Sequence, residues 1–100
     1  MPTSIHEEPY RLAAFEQSVA EHLIDDLVLY ITDGLPQGHF MTAVLSNDLK
    51  ETFRRGDEVS LRRLRNLMSF LYNDAPSNCW GSPDLYKAWV EQKGLRKYTG

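Results

Sequence analysis

Apolar residues recur along most of the chain at three- and four-residue steps, the spacing that places them on one face of an α-helix. The first such segment spans residues 9–32, with Pro9 suited to a first helical turn and Gly34 to a C-terminal cap. We therefore predict one long amphipathic helix there. Its apolar stripe is Leu12, Phe15, Val19, Leu23, Leu27 and Tyr30.

A second helix is predicted for residues 39–55, after a Gly/Pro connector at residues 34–38 that cannot continue a helix. Gly56 ends this segment. Its apolar stripe is Phe40, Val44, Leu45, Leu49 and Phe53.

A third helix begins after Asp57, a suitable N-cap, and ends near Tyr72 and Asn73. Its seam contains Leu61, Leu64, Leu67, Met68, Phe70 and Leu71.

A loop at residues 74–81 leads to a fourth predicted helix, residues 83–93, which Ser82 can cap and Gly94 can end. No segment alternates apolar and polar residues for long enough to indicate a strand. The fold class expected is therefore all-α: a bundle of about four helices in one domain, residues 1–100, with flexible ends at 1–8 and 95–100. A hydrophobic content of 42% and a charged content of 25% agree with a chain that folds unaided.

The net charge of -3 excludes a strongly basic nucleic-acid binder, but the charge is unevenly distributed. Acidic side chains dominate residues 1–53 and basic ones dominate residues 54–100. If the halves form separate faces, the molecule is electrically polar and can steer a charged partner; the interpretation we favour is that they neutralise each other within one bundle.

Candidate chemistry is sparse. Cys79 is the only cysteine, which excludes an internal disulfide and favours a small apolar packing role, and the three histidines lack metal-ligand spacing. His22 can share a helical face with Asp25 and Asp26, although a solvated polar stripe explains that pattern as well. We expect no catalytic residues, metal or cofactor, and an absent signal segment and membrane span predict a cytoplasmic protein.

Three segments carry a resemblance to known proteins: GLPQGHFMTAVLSNDL at residues 34–49, FLYNDAP at 70–76 and CWGSP at 79–83. They resemble short uncharacterised proteins of bacteriophages and prophages. The resemblance implies a phage or mobile-element origin and no particular activity. By analogy with other small phage proteins, it also implies binding to a host component.

The densest charge cluster is a group of five arginines around Gly56: Arg54, Arg55, Arg62, Arg63 and Arg65. Guanidinium groups match phosphate oxygens, so nucleic-acid binding is one interpretation. Asp57 and Glu58 lie among them, however, and solvated arginines that pair with the acidic half explain the cluster more simply.

Two further features suggest contacts. Asn47 and Asp48 lie within the second predicted helix, where both have poor propensity. We expect Asp48 to bond the turn at 34–38 or that at 80–82, with partner binding as the alternative. The aromatics Tyr72, Trp80, Tyr86 and Trp89 are expected to pack in the core, although Trp80 in its loop is also a candidate binding residue.

The leading hypothesis is a non-enzymatic protein that binds and modulates a host protein complex, an inhibitor of host defence such as an anti-CRISPR protein being one form. The candidate binding residues are the five arginines, Trp80, Asp25 and Asp26. The alternative is a nucleic-acid-binding regulator that uses the arginines. The oligomeric state stays open.

Overall fold

The computed structural model describes residues 7–98, and all regular structure among them is helical. This confirms the all-α class, but the described residues form seven α-helices where about four were predicted. The α-helices are α1 Glu7–Glu16, α2 Glu21–Asp33, α3 His39–Leu45, α4 Leu49–Arg55, α5 Glu58–Arg62, α6 Leu64–Asn73 and α7 Pro83–Glu91. Short 3-10 turns cover Ser77–Cys79 and Gly94–Tyr98.

The first predicted helix is broken into α1 and α2 by a left-handed residue, Ser18, whose φ is 60°. The Ser18 N–H donates to the Phe15 carbonyl and the Val19 N–H to the Ala14 carbonyl, at 3.0 and 3.1 Å. This pair of bonds is the Schellman motif, which satisfies the last carbonyls of a helix and turns the chain away. The apolar periodicity continues through the break and therefore does not predict it.

The second predicted helix is broken in the same way at Asn47, whose φ is also 60°. The Asn47 N–H donates to Val44 and the Asp48 N–H to Ala43, at 3.0 and 2.8 Å. Asp48 then caps α4, its carboxylate accepting from the Glu51 N–H at 3.2 Å. The expectation that Asp48 bonds a neighbouring turn is therefore wrong: its side chain starts a new helix. A backbone bond from the Gly81 N–H to the Leu45 carbonyl, 2.8 Å, joins α3 to the last loop instead.

Replacing Ser18 by glycine is expected to stabilise the protein by about 0.5–1 kcal/mol, because glycine adopts positive φ without the cost that a Cβ brings. Asn47→Gly is the matched comparison and should gain less, since asparagine tolerates this conformation better than serine does. Urea unfolding monitored by circular dichroism measures both changes. A lowered midpoint for Ser18→Gly would contradict the role assigned to this turn.

The other predicted helices need smaller corrections. The third spans α5 and α6, with Arg63 (φ -103°, ψ 14°) leaving helical geometry between them. The fourth ends at Glu91 rather than residue 93, because Lys93 and Gly94 both have positive φ. Of the termini expected to be flexible, residues 7 and 8 open α1 and residues 95–98 lie in the last 3-10 turn; residues 1–6, 99 and 100 lie outside the described residues.

The core is organised around Tyr30 of α2 and Trp89 of α7, both almost fully buried. The Tyr30 hydroxyl donates to the Cys79 carbonyl at 2.6 Å, and the Trp89 indole N–H donates to the Tyr30 carbonyl at 2.9 Å. The Tyr86 ring stacks on Tyr30, with centroids 5.5 Å apart. Three elements distant in sequence are thus joined by polar bonds inside an apolar cluster, which fixes their relative positions.

Cys79 packs within this core, as expected of a small apolar residue. Burial disfavours its thiolate and raises its pKa to about 12. Because the thiolate is the nucleophilic form, the thiol is chemically inert in the folded chain.

Candidate protein-binding surface

The two helix breaks turn apolar side chains outward. Leu49 and Phe53, expected on the buried stripe of the second predicted helix, are 67% and 55% exposed on α4. Leu12 and Phe15 of α1 are exposed in the same way. In an unbroken helix, these apolar residues would lie on one face. Because a left-handed residue changes the direction of the chain, the residues on either side of it no longer share a face, and these four are exposed.

The α4 side chains lie beside α6. Leu49, Leu64 and Met68 line one small cavity of about 80 Å³. Phe53 follows Leu49 by four residues and Tyr72 follows Met68 by four, so each extends the apolar row along its own helix. Tyr72 is 80% exposed, against the expectation that it packs in the core. We call this surface the α4–α6 face: Leu49, Phe53, Leu64, Met68 and Tyr72.

The α4–α6 face has a basic border. Lys50 and Arg54 are one residue beyond Leu49 and Phe53 on α4, and Arg65 adjoins Leu64 on α6; all three are exposed. Arg54 and Arg55 both contact Glu51, with N–O distances of 3.2 and 3.3 Å. These two bonds lower the pKa of Glu51, so the carboxylate stays charged beside its arginines.

The five arginines do not form one uniform phosphate-binding patch. Arg54 and Arg55 share Glu51, and Arg62 pairs with Glu58 at 2.6 Å. The Arg63 guanidinium donates to the Ser18 carbonyl at 3.1 Å and so holds the α1–α2 turn against the start of α6. The interpretation that they pair with the acidic half therefore describes Arg54 and Arg55, whereas Glu58, the partner of Arg62, belongs to the basic half of the chain.

The acidic candidates and Trp80 lie elsewhere. Asp25 forms an ion pair with Arg11, and the Asp26 carbonyl accepts from the Gln37 side chain at 3.0 Å. Both carboxyl groups are on the exposed side of α2. Trp80 is partly buried and packs against the core, as do Tyr86 and the fully buried Trp89. The structure thus brings Arg54 and Arg65 to the α4–α6 face and places the other candidates outside it.

One cluster has the residue types of a hydrolase. His22 Nε2 lies 3.1 Å from the Ser60 Oγ and 3.8 Å from the Asp57 carboxylate. The same imidazole nitrogen faces both groups, however, whereas a catalytic triad needs one ring nitrogen for the hydroxyl and the other for the carboxylate. Asp57 also caps α5 by accepting from the Ser60 N–H at 2.7 Å. The cluster therefore joins α2 to α5 and offers no activated nucleophile.

The Asp57 cap makes stability depend on pH. Bonds from the Ser60 N–H and O–H lower the pKa of Asp57 in the folded chain, so its contribution is complete above its ordinary pKa of 3.8 and disappears as the pH falls through the lowered value. We expect the urea midpoint of wild type to be higher than that of Asp57→Asn at pH 6, and the difference to shrink as the pH falls below 3.8. A difference that stays constant over this range would exclude the charged cap as its origin.

Neither a metal site nor an unfilled polar site is indicated among residues 7–98. This part of the chain has no group of three or more histidine, cysteine or carboxylate side chains placed to hold a metal ion. Each buried side-chain nitrogen or oxygen described has a hydrogen-bond partner, so no unsatisfied polar atom points to a missing ligand. Every helix in the described residues is too short or too polar to cross a bilayer.

The leucines and aromatics of the α4–α6 face were missed because apolar periodicity assigned them to the core. One signal was available: Asp48 followed by Glu51 three residues later matches the start of a new helix. Comparisons of the chain with protein-family models, with curated proteins and with solved structures found no match.

Proposed function

We propose that this chain is a small non-enzymatic protein-binding domain that docks on a partner through the α4–α6 face. The observation that carries the proposal is the exposure of Leu49, Phe53 and Tyr72, together with the cavity that Leu49 of α4 lines with the partly buried Leu64 and Met68 of α6. Adjoining exposed apolar side chains with a polar border are typical of protein interfaces, where aromatic residues contribute a large share of the binding energy.

The border specifies the partner's charge. Lys50, Arg54 and Arg65 favour an acidic surface around an apolar centre, because complementary charges raise the association rate and disfavour the wrong partners. A partner helix with apolar residues at three- and four-residue spacing and acidic flanks fits such a surface.

The resemblance to bacteriophage and prophage proteins supports a host protein complex as the partner. Modulation of that complex by occupancy of a binding surface needs no catalytic group. Inhibition of a host defence complex, in the manner of an anti-CRISPR protein, is the specific form that we propose. The host cytoplasm is the compartment in which such a complex would be met.

Photo-crosslinking from the α4–α6 face tests this function. A photoreactive phenylalanine analogue at position 53, introduced during expression in a bacterial host, should capture one protein. Binding of that purified protein is then compared for wild type and for Leu49→Ser combined with Phe53→Ser. Loss of two central apolar contacts is expected to weaken the dissociation constant by roughly tenfold or more.

Leu35→Ser and Leu85→Ser provide the matched control, since both leucines are exposed but lie outside the α4–α6 face. Their affinity should remain within about twofold of wild type. Equal binding by the Leu49 and Phe53 double variant would refute the assignment of the surface. Crosslinks to nucleic acid, with affinity that falls steeply with salt and on Arg62→Ala with Arg63→Ala, would instead establish the nucleic-acid-binding alternative.

A further inference from the structure

A second exposed apolar surface lies on α1. Phe15 is 68% exposed and Leu12, three residues earlier, points to the same side of the helix. Phe15 also lines an open groove of about 490 Å³ together with the exposed Val59 of α5. We call Leu12, Phe15 and Val59 the α1 face. It has no lining residue in common with the cavity of the α4–α6 face.

The α1 face has an acidic border. Glu8 and Glu16 are exposed on α1, and Glu21 lines the groove. Two arginines are also near: Arg11 is paired with Asp25, and Arg63, in the groove, donates to the Ser18 carbonyl. With Asp25 included, four acids face two bases. The α4–α6 face has the opposite balance, with Lys50, Arg54 and Arg65 against Asp48 and Glu51.

These charges discriminate between the ways in which two copies can meet. A symmetric dimer through two α1 faces brings acid against acid, and one through two α4–α6 faces brings base against base. Contact between unlike faces brings each apolar surface against the other and pairs acidic borders with basic ones. The molecule is therefore complementary to itself in the head-to-tail sense only.

We propose that copies of this chain associate head to tail, with the α1 face of one copy seated on the α4–α6 face of the next. This proposal rests on the proposed function, because both use the α4–α6 face. When no other partner is bound, a second copy of the chain occupies that face. The α1 helix offers the chemistry expected of such a partner: apolar residues at helical spacing, Leu12 and Phe15, between Glu8 and Glu16.

Association of this kind has two consequences. Each copy keeps one unlike face free after binding, so the assembly grows with concentration instead of stopping at a dimer, unless a ring closes. Each contact uses few apolar residues, so it is weak and its charged border is screened by salt. A partner that binds the α4–α6 face more tightly then displaces the copy bound there. Self-association therefore competes with partner binding.

Sedimentation velocity on the purified full chain, with no partner present, tests the proposal. From about 10 μM to about 1 mM protein, we expect the weight-average mass of wild type to rise at least twofold, and less so at about 500 mM salt. Leu12→Ser with Phe15→Ser removes the α1 face, and Leu49→Ser with Phe53→Ser removes the α4–α6 face. Each double variant alone should stay monomeric.

The decisive sample is the equimolar mixture of these two double variants. Each retains the face that the other lacks, so the mixture should form a heterodimer and nothing larger. Leu35→Ser with Leu85→Ser should associate like wild type. Circular dichroism confirms that each variant retains its helical content.

A charge-reversed pair removes any dependence on how the serine variants fold. Glu8→Lys with Glu16→Lys, and Lys50→Glu with Arg54→Glu, each create like-charged borders and should be monomeric alone. Their mixture restores both unlike contacts and should recover the concentration-dependent rise in mass.

A wild type that remains monomeric at about 1 mM, or mixtures that remain monomeric, would overturn the proposal. So would a defined symmetric dimer that survives both serine substitutions. These results leave the proposed function standing, because photo-crosslinking to a host protein is measured separately. Failure of crosslinking from position 53 would conversely leave the sedimentation result intact.

Discussion

Gly34→Ala is expected to lower the free energy of unfolding by about 3 kcal/mol, and Gly94→Ala by a similar amount. Both glycines have positive φ, 71° and 62°, where an L-residue is strained. They also touch each other's backbone. A Cβ on Gly34 would lie 2.7 Å from the Lys93 Cα, and one on Gly94 would lie 2.6 Å from the Ile31 carbonyl oxygen. Neither neighbour is a flexible side chain that can move aside.

The consequence reaches beyond one turn, because this contact joins the end of α2 to the last 3-10 segment, Gly94–Tyr98. A loss of about 3 kcal/mol is a large part of the 5–15 kcal/mol that small domains have in total. Each variant is therefore expected to unfold at a much lower urea concentration than wild type, with the C-terminal segment displaced from α2.

Gly38→Ala is the control within the same connector. Gly38 has φ of -70° and no atom within 4 Å of the Cβ position, so neither strain nor collision applies. Because glycine is a better N-cap than alanine, a cost within about 1 kcal/mol remains. Equal losses for Gly34→Ala and Gly38→Ala would contradict the close backbone approach as the cause.

The fold class and several of the helix caps were predictable because they depend on local chemistry. Gly34, Asp57 and Ser82 occupy the cap positions that the sequence indicated, since each supplies a left-handed residue or a side-chain acceptor within a few residues of the helix it caps. Such interactions need no knowledge of the rest of the fold.

The number of helices was not predictable from apolar periodicity. Leu23 follows Val19 by four residues and Leu49 follows Leu45 by four, so the spacing crosses both breaks without interruption. What ends α1 and α3 is a single left-handed residue in each, Ser18 and Asn47. Serine and asparagine can adopt the left-handed conformation but do not require it. Their presence in the sequence therefore does not predict a helix break.

The candidate surface was hidden for the same reason. Leu12, Phe15, Leu49 and Phe53 satisfy a core pattern on two long helices and become surface residues only when those helices are divided. The arginine pairs, by contrast, follow from the predicted helices, because Glu51 precedes Arg54 and Arg55 by three and four residues and Glu58 precedes Arg62 by four. Their local pairing leaves the apolar rows as the most specific feature of this surface.

Trp89→Ala is expected to cost about 3–5 kcal/mol, the second large effect in this chain. The indole is 1% exposed, so its removal leaves a cavity among residues of α2 and the last 3-10 turn. It also leaves the Tyr30 carbonyl without the indole N–H that it accepts at 2.9 Å. Near-ultraviolet circular dichroism should lose its aromatic bands at lower urea concentration than in wild type.

Trp89→Phe and Tyr30→Phe separate packing from hydrogen bonding. Trp89→Phe retains an aromatic ring but no donor, so it should cost less than Trp89→Ala. Tyr30→Phe retains the ring stacked on Tyr86 and deprives the buried Cys79 carbonyl of its 2.6 Å bond, for which we expect about 1–3 kcal/mol. If Trp89→Ala costs no more than Tyr30→Phe, hydrogen bonds contribute more to the stability of the core than the packing of the indole does, and the cavity would be excluded as the main cause.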